Sequence, residues 1–359
     1  MSLTDHLHKK NDPIRAFLDE RLVDFSPARP QWKAVQSGGV LVDADASGSW
    51  SLIGTAIDLR IRFIFANLNF EIAPQGLSHL LATTYPSVKA GQTVQNRHRG
   101  SLFDLRPEEE IHVLQTCYLM SMYLSVARGT SGGWRNLPLH TLRGGAGWKA
   151  HLDRVPDWDI DVLKVLVKPA LELFPLLTEQ RVVVGPVFAD SVLVGGADGD
   201  FIVSKNLIEI KCEAPGFRST TIRQLIAYAL LDSTNEYELA KCSVYLARFG
   251  TLAAWDLDDL ITEISQGRHS YQSLRTEFHQ WLVAQEEDRR RKREAKAESG
   301  RIFEAQWKLL SDARAEYWRE RYEGDLKGEE VKRLTRKVLE ADNKLKQLEA
   351  EAGLDSYRE

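Results

Sequence analysis

The chain has 359 residues, 43% hydrophobic and 27% charged, which is apolar material for one sizeable core or two and, by length, about two domains. The formal charge of −4 gives no global basic signature, so any contact with nucleic acid has to come from local patches. No run of about 18 apolar residues occurs, and the three scattered cysteines, Cys117, Cys212 and Cys242, exclude a disulfide framework or a four-cysteine metal site within this chain.

The opening MSLTDHLHKKNDPIRAF lacks the apolar centre of a signal peptide, and the expected location is cytoplasmic, with no membrane association. Residues 1–157 read as a mainly helical N-terminal region: LIGTAIDLRIRFIFANL and EEEIHVLQTCYLMSMYLSVA carry apolar residues at helical spacing. The Gly-rich stretch at 129–149 contains GGAGWK. It has neither a preceding strand nor the GxxxxGK[ST] spacing of a phosphate-binding loop, and reads as an ordinary loop. Trp32, Trp50, Trp134 and Trp148 show no clustering that would mark a base-stacking platform, so packing is expected. The histidines, His98, His140 and His151 among them, lack zinc spacing, and no GxSxG elbow supports serine hydrolase chemistry.

Residues 158–283 change character. A strongly apolar helix, WDIDVLKVLVKPALELFPLL, precedes three strand-like runs: RVVVGPVFA, DFIV and NLIEIKC. The helix STTIRQLIAYALLD follows, then KCSVYLARF and TLAAWDL, separated by the turn residue Gly250. The predicted order is α-β-β-β-α-β-β. Arg218 and Arg223, on and before the second helix, suit either phosphate contact or a solvated face.

Residues 284–359 are highly charged and read as a helical, coiled-coil-like extension. Val331, Leu334, Val338, Ala341, Leu345, Leu348 and Ala352 recur at spacings of 3 and 4, enough for a helical hairpin or a seam between two copies. The cluster RRRKR at 289–293 is flanked by acids. An exposed helix with paired charges is the simpler expectation than a grip on nucleic acid.

The informative stretch is GGADGDFIVSKNLIEIKC at 195–212. Glu209 and Lys211, two apart on a strand, share one face. If Ser204 and Lys205 form a two-residue turn, Val203 pairs with Asn206, Asp200 falls opposite Glu209 and Asp198 opposite Lys211. A three-residue loop moves the aspartates to the other face unless a bulge restores the register. Three carboxylates and an ammonium on a half-buried face need a cation, and oxygen donors suit Mg2+ or Mn2+.

This arrangement resembles the PD-(D/E)XK nuclease superfamily, with Asp200 starting one strand and Glu209-Ile210-Lys211 on the next. Gly199 stands where many members have proline. Gln224 and Tyr228 in QLIAY are similar to the QxxxY element of the RecB-like branch, and GTAID at 54–58 looks like its GxxxH segment with Asp58 in place of histidine. With the GADxD…IEIK core and Tyr245-Leu246-Ala247-Arg248-Phe249-Gly250, the chain also resembles bacterial proteins of unassigned role. The resemblance implies an α/β protein with a restriction-endonuclease-like core and a mixed sheet. It implies a Mg2+- or Mn2+-dependent deoxyribonuclease of bacterial DNA repair or anti-phage defence. Asp200, Glu209 and Asp198 would hold the metal, Lys211 would assist water, and Gln224 and Tyr228 would position DNA. The alternative is a catalytically silent nucleic-acid-binding protein or an assembly scaffold on the same fold, with a homo-oligomer or a partner protein engaged through the C-terminal helices.

Overall fold

The computed structural model describes residues 2–43, 50–66, 105–127, 155–174, 181–197, 199–212, 214–323 and 328–352. The chain forms two compact units, Met1–Trp281 and Leu282–Glu359. The N-terminal helices and the sheet therefore belong to one body.

The first unit opens with α1 (Leu3–His8), α2 (Pro13–Arg21) and α3 (Arg29–Gln36). Ser2 and Asp5 form a reciprocal capping box on α1, and Asp12 caps α2 ahead of Pro13, whose ring suits a first helical position. Two apolar helices follow, α4 (Trp50–Ala66) and α5 (Pro107–Ala127), and then α6 (Asp157–Leu173). The strands are β1 (Val182–Val184), β2 (Phe201–Val203) and β3 (Asn206–Lys211). After α7 (Ser219–Leu230) come β4 (Lys241–Leu246), β5 (Thr251–Asp256) and α8 (Leu257–Ile264). The predicted order of elements from 158 to 257 is the observed one. The first strand is shorter than RVVVGPVFA suggests, because Pro186 has no N–H to give a ladder.

The five strands form one mixed sheet in sequence order, antiparallel except for the parallel pair β3 and β4, whose connection runs through α7. Alternation sends Phe201, Val203, Ile208, Ile210 and Tyr245 to one face, where they bury against Ile53, Ile57, Tyr118, Leu163 and Leu166 of α4, α5 and α6. The helices α7 and α8 pack on the sheet near β3, β4 and β5. Within this core Arg60, fully buried, donates from Nε and Nη2 to both Glu110 oxygens at 2.9 and 2.8 Å. Tyr118 donates to Asp159 at 2.5 Å.

Gly250 ends a short 3-10 turn after β4 with φ +65, and a Cβ there would lie 2.8 Å from Pro169 of α6. Gly250→Ala is therefore expected to cost about 3 kcal/mol of stability, combining left-handed backbone strain with overpacking. Urea unfolding followed by tryptophan fluorescence measures it, and an unchanged midpoint refutes it. Nearby, Arg248 is buried, donating to Val42 O at 2.8 Å with its guanidinium 4.3 Å from the Trp50 ring centre. Trp32 is buried too, donating to Gly216 O at 3.0 Å. Both tryptophans serve packing. Trp134, Trp148, His98, His140 and His151 lie outside the described residues.

The last helices are α9 (Tyr271–Glu323) and α10 (Gly328–Ala352). In the second unit the end of α9 pairs antiparallel with α10: Gln306 donates to Ala341 O at 3.4 Å, Arg314 meets Asp342 at 3.3 Å, and Glu316 pairs with Lys337. Leu334 and Leu345 of the heptad series are buried, as are Leu310 and Ala313 of α9, so a hairpin within one chain accommodates this seam. Arg289, Arg290, Arg291, Lys292 and Arg293 each lie within 4 Å of an acid on the same helix, an exposed face with paired charges. Among the described residues no helix is long and apolar enough to cross a membrane.

Candidate active site

The loop between β2 and β3 has two residues, and Val203 pairs with Asn206, Ile202 with Leu207 and Phe201 with Ile208. The first loop residue, Ser204, takes a positive φ of 55°, as tight hairpin turns require. Continuing this register one step places Asp200 opposite Glu209. The Asp200 side chain also closes the ladder: its Oδ2 accepts the Ile210 N–H at 2.7 Å. Asp198 lies outside the described residues.

Glu209 sits in the middle of the sheet and is only 4% exposed. Its Oε1 accepts from Lys211 Nζ at 2.8 Å, while Oε2 is buried with no hydrogen-bond partner among the described residues. Burial, and after it the charge of Asp200, push the Glu209 carboxyl up to about 8, against the pull of Lys211. Burial disfavours the Lys211 ammonium, but Glu209 and Asp200 outweigh it and hold its pKa above the ordinary lysine value.

The proton held by buried Glu209 sets a sign. In the unfolded chain the carboxyl titrates near 4.5, and in the folded chain near 8, so the folded state binds more protons between the two. Its contribution to stability is complete at pH 4 and is lost as pH rises toward 8. Urea midpoints in EDTA from pH 4.5 to 8.5 are expected to fall more steeply for wild type than for Glu209→Gln. Parallel curves would refute this.

The cluster has a further arm. Gly54 of α4 packs so close to the end of β3 that an added Cβ would lie 3.1 Å from Cys212 Cβ. One turn later Asp58 accepts from Arg62 Nε at 2.8 and 2.9 Å, and Arg62 Nη2 reaches Asp200 Oδ1 at 3.4 Å. The glycine and the acid of GTAID thus have a geometric reason for their spacing: close approach, then a carboxylate delivered to the cluster's edge. No motif marks Arg62, although Asp58 and Arg62 at i and i+4 on a helix are a recognisable pair.

From the other side, α7 supplies Gln224 and Tyr228. Gln224 Nε2 donates to the Tyr228 hydroxyl at 3.0 Å and to Thr4 Oγ1 at 3.3 Å. Burial first, and the Glu209 charge second, raise the Tyr228 pKa, so the phenol keeps its proton. Thr4 and His8 come from α1, which is moored by the Leu3 N–H to Gly196 O at 3.1 Å. No sequence motif announces them. Arg223, expected on a solvated face or at phosphate, is buried rather than solvated, 2.8 Å from Asp19 and over the Phe25 ring at 4.9 Å.

Five ionisable side chains therefore meet here: Asp58, Asp200 and Glu209 against Arg62 and Lys211. With Glu209 protonated the charges balance, and its ionisation, disfavoured by burial and by Asp200, leaves one negative charge in surplus. Among the described residues no group of three or more His, Cys, Asp or Glu gathers as a metal cage. Two neighbouring carboxylates, with a Glu209 oxygen buried and without a partner among the described residues, suit Mg2+ or Mn2+, which keep waters as remaining ligands. The cysteines offer no nucleophile. Burial pushes the Cys212 thiol up to about 12 and raises Cys117 and Cys242 further.

No protein-family model matches this chain, and no curated protein or solved structure matches it significantly. What can be said of its class is that it is a mixed α/β protein with a five-stranded mixed sheet and a charged cluster where β2 begins and β3 ends.

Proposed function

We propose that the protein is a metal-dependent nuclease that hydrolyses DNA phosphodiester bonds, built on a restriction-endonuclease-like core. The observation that carries this reading is the register placing Asp200 opposite Glu209, two residues before Lys211, with Glu209 Oε2 buried and without a partner among the described residues. The order of strands and the α7 crossover between parallel β3 and β4 support it.

Asp200 and Glu209 would hold a Mg2+ or Mn2+ ion, with Asp198, outside the described residues, as the third ligand the resemblance implies. When bound, the ion would supply positive charge to phosphate oxygens. Lys211 keeps its proton at working pH. Its Nζ donates to the oxygen that gains charge and orients the attacking water. Arg62 fixes the Asp200 carboxylate from outside, and the hydrogen-bonded Gln224 and Tyr228 position the strand. The DNA assignment and a place in bacterial repair or anti-phage defence rest on the resemblance to RecB-like nucleases.

The test is incubation of purified protein with linear, circular and single-stranded DNA and with RNA, plus Mg2+ or Mn2+, beside a Lys211→Ala control. Cleavage of DNA by wild type and not by the control is expected. Cleavage of none of these substrates leaves the silent binding protein as the better reading.

A further inference from the structure

The seam between the end of α9 and α10 is thin. Among the described residues it buries Gln306, Leu310 and Ala313 of α9, one of them polar and one small, against Leu334 and Leu345 of α10. Helices in proteins draw most of their stability from the apolar face they bury, and two helices joined along one seam leave the rest of their surface open. Six of the twelve large apolar side chains that stay exposed among the described residues lie in the second unit, although it is the smaller. Such crowding marks a contact surface rather than ordinary scatter.

Along this hairpin runs a groove of about 850 Å3, its apolar lining made by Phe303, Trp307, Leu310 and Leu345. Trp307 is 51% exposed. Trp318, 49% exposed, follows eleven residues later, three turns of helix and therefore on the same stripe of α9. Tryptophan has a large apolar surface to bury and is over-represented among the residues that dominate association energies.

Two observations commit the groove to a second copy of this chain. The first is charge. Its rim holds three acids, Glu304, Asp312 and Asp342, and three bases, Lys308, Arg314 and Lys346, so it has no net charge. A nucleic-acid strand selects a rim in positive excess, and an acidic or basic protein selects one of the opposite sign. A closed dimer instead brings a patch against itself and needs a surface complementary to its own charges. Arg314 and Lys346 already sit on Asp342 at 3.3 and 2.9 Å. Glu304, Lys308 and Asp312 alternate in sign at spacings of four, so the same stripe of a second copy, run antiparallel and shifted by one turn, meets it with opposite charges. The second observation is size. Residues 301–318 of α9 span about 27 Å, and two packed helices are about 20 Å wide. Two such faces laid together enclose on the order of 1,000 Å2, about the area above which biological interfaces lie.

We propose that the protein dimerises through this groove, with Trp307 of each copy buried against the hairpin of the other in a four-helix arrangement. Association of this kind does not depend on the nuclease reading.

Sedimentation equilibrium of the full chain, from about 1 to 100 µM so as to span micromolar affinity, measures it. Wild type is expected to approach twice the chain mass of 40.7 kDa, and Trp307→Glu to associate at least tenfold more weakly. Trp307 is half exposed, so its variant is expected to keep the wild-type helix content by circular dichroism. A wild type that stays at the mass of one chain overturns the dimer and leaves the groove to another protein. A Trp307→Glu variant that associates as wild type does overturns it as well.

Rim variants at exposed positions keep the test decisive even where Trp307→Glu loses helix. Glu304→Lys combined with Asp312→Lys makes the stripe wholly basic, and Lys308→Glu makes it wholly acidic. Each is expected to be monomeric by itself, and a one-to-one mixture to regain the dimer mass with at least tenfold tighter association than either alone. Charge contacts within a chain are the same before and after mixing, so recovery reports contact between chains. A mixture no more associated than its components shows that the two rims do not meet, and overturns the interface.

Discussion

Lys211→Ala is expected to slow DNA cleavage by on the order of 100-fold or more while leaving divalent-metal affinity within a few-fold of wild type. The reason is the division of labour on β3. Lys211 Nζ donates to Glu209 Oε1, and in the proposed mechanism it would act on charge that develops during the reaction, whereas the Glu209 carboxylate would bind the metal. Glu209→Gln is expected to do the reverse, weakening metal affinity so that raised Mg2+ or Mn2+ recovers part of the rate. Lys211 also holds the Glu209 pKa down, so its removal leaves the buried carboxyl more readily protonated. Calorimetric metal titrations therefore belong at pH 9, where proton competition is least. Wild-type rates in both variants would mean that the charged hairpin is structural.

Much of this site is legible in the sequence because its geometry is local. A two-residue turn fixes the register, the register fixes which side chains share a face, and Asp200, Glu209 and Lys211 follow. Gln224 and Tyr228 are legible for the same reason, being four apart on one helix. What comes from far away in the chain is not legible. Arg62 reaches Asp200 across 138 positions, and Thr4 reaches Gln224 across 220. Their placement depends on how α4 and α1 pack, which no periodicity encodes. Arg223 shows the same limit in another form. Nothing around it in sequence distinguishes a solvated arginine from one buried by Asp19 and Phe25, because both partners lie on an N-terminal segment some 200 residues earlier. For a similar reason, the sequence leaves the helices α9 and α10 open between a hairpin in one chain and a seam between two. The heptad spacing describes an apolar stripe and is indifferent to whose helix covers it.

Asp200 separates a charge from a hydrogen bond. Its Oδ2 accepts the Ile210 N–H at 2.7 Å and so stands in for a strand bond at the end of the β2–β3 ladder, while its charge is one of the pair proposed to hold the metal. Asp200→Asn keeps a side-chain carbonyl oxygen to receive that N–H and removes the charge. Asp200→Ala removes both. Cleavage is expected to fall by on the order of 100-fold or more in each, with metal affinity lost in each, because binding the cation requires the carboxylate. Stability is expected to split them. The alanine variant leaves the Ile210 N–H without its acceptor and costs about 1–3 kcal/mol, whereas the asparagine variant stays within about 0.5 kcal/mol of wild type in EDTA. Loss of the Asp200 charge also relieves the Glu209 carboxyl, whose pKa the aspartate raises, so the pH slope of stability seen in wild type should flatten in Asp200→Asn. Urea unfolding at pH 5 and pH 8, with metal titrations and cleavage rates on the same preparations, reads all three quantities. An asparagine variant that still binds Mg2+ and cleaves as wild type does would show that the Asp200 carboxylate serves the hairpin alone, and the metal would have to be sought elsewhere than between these two strands.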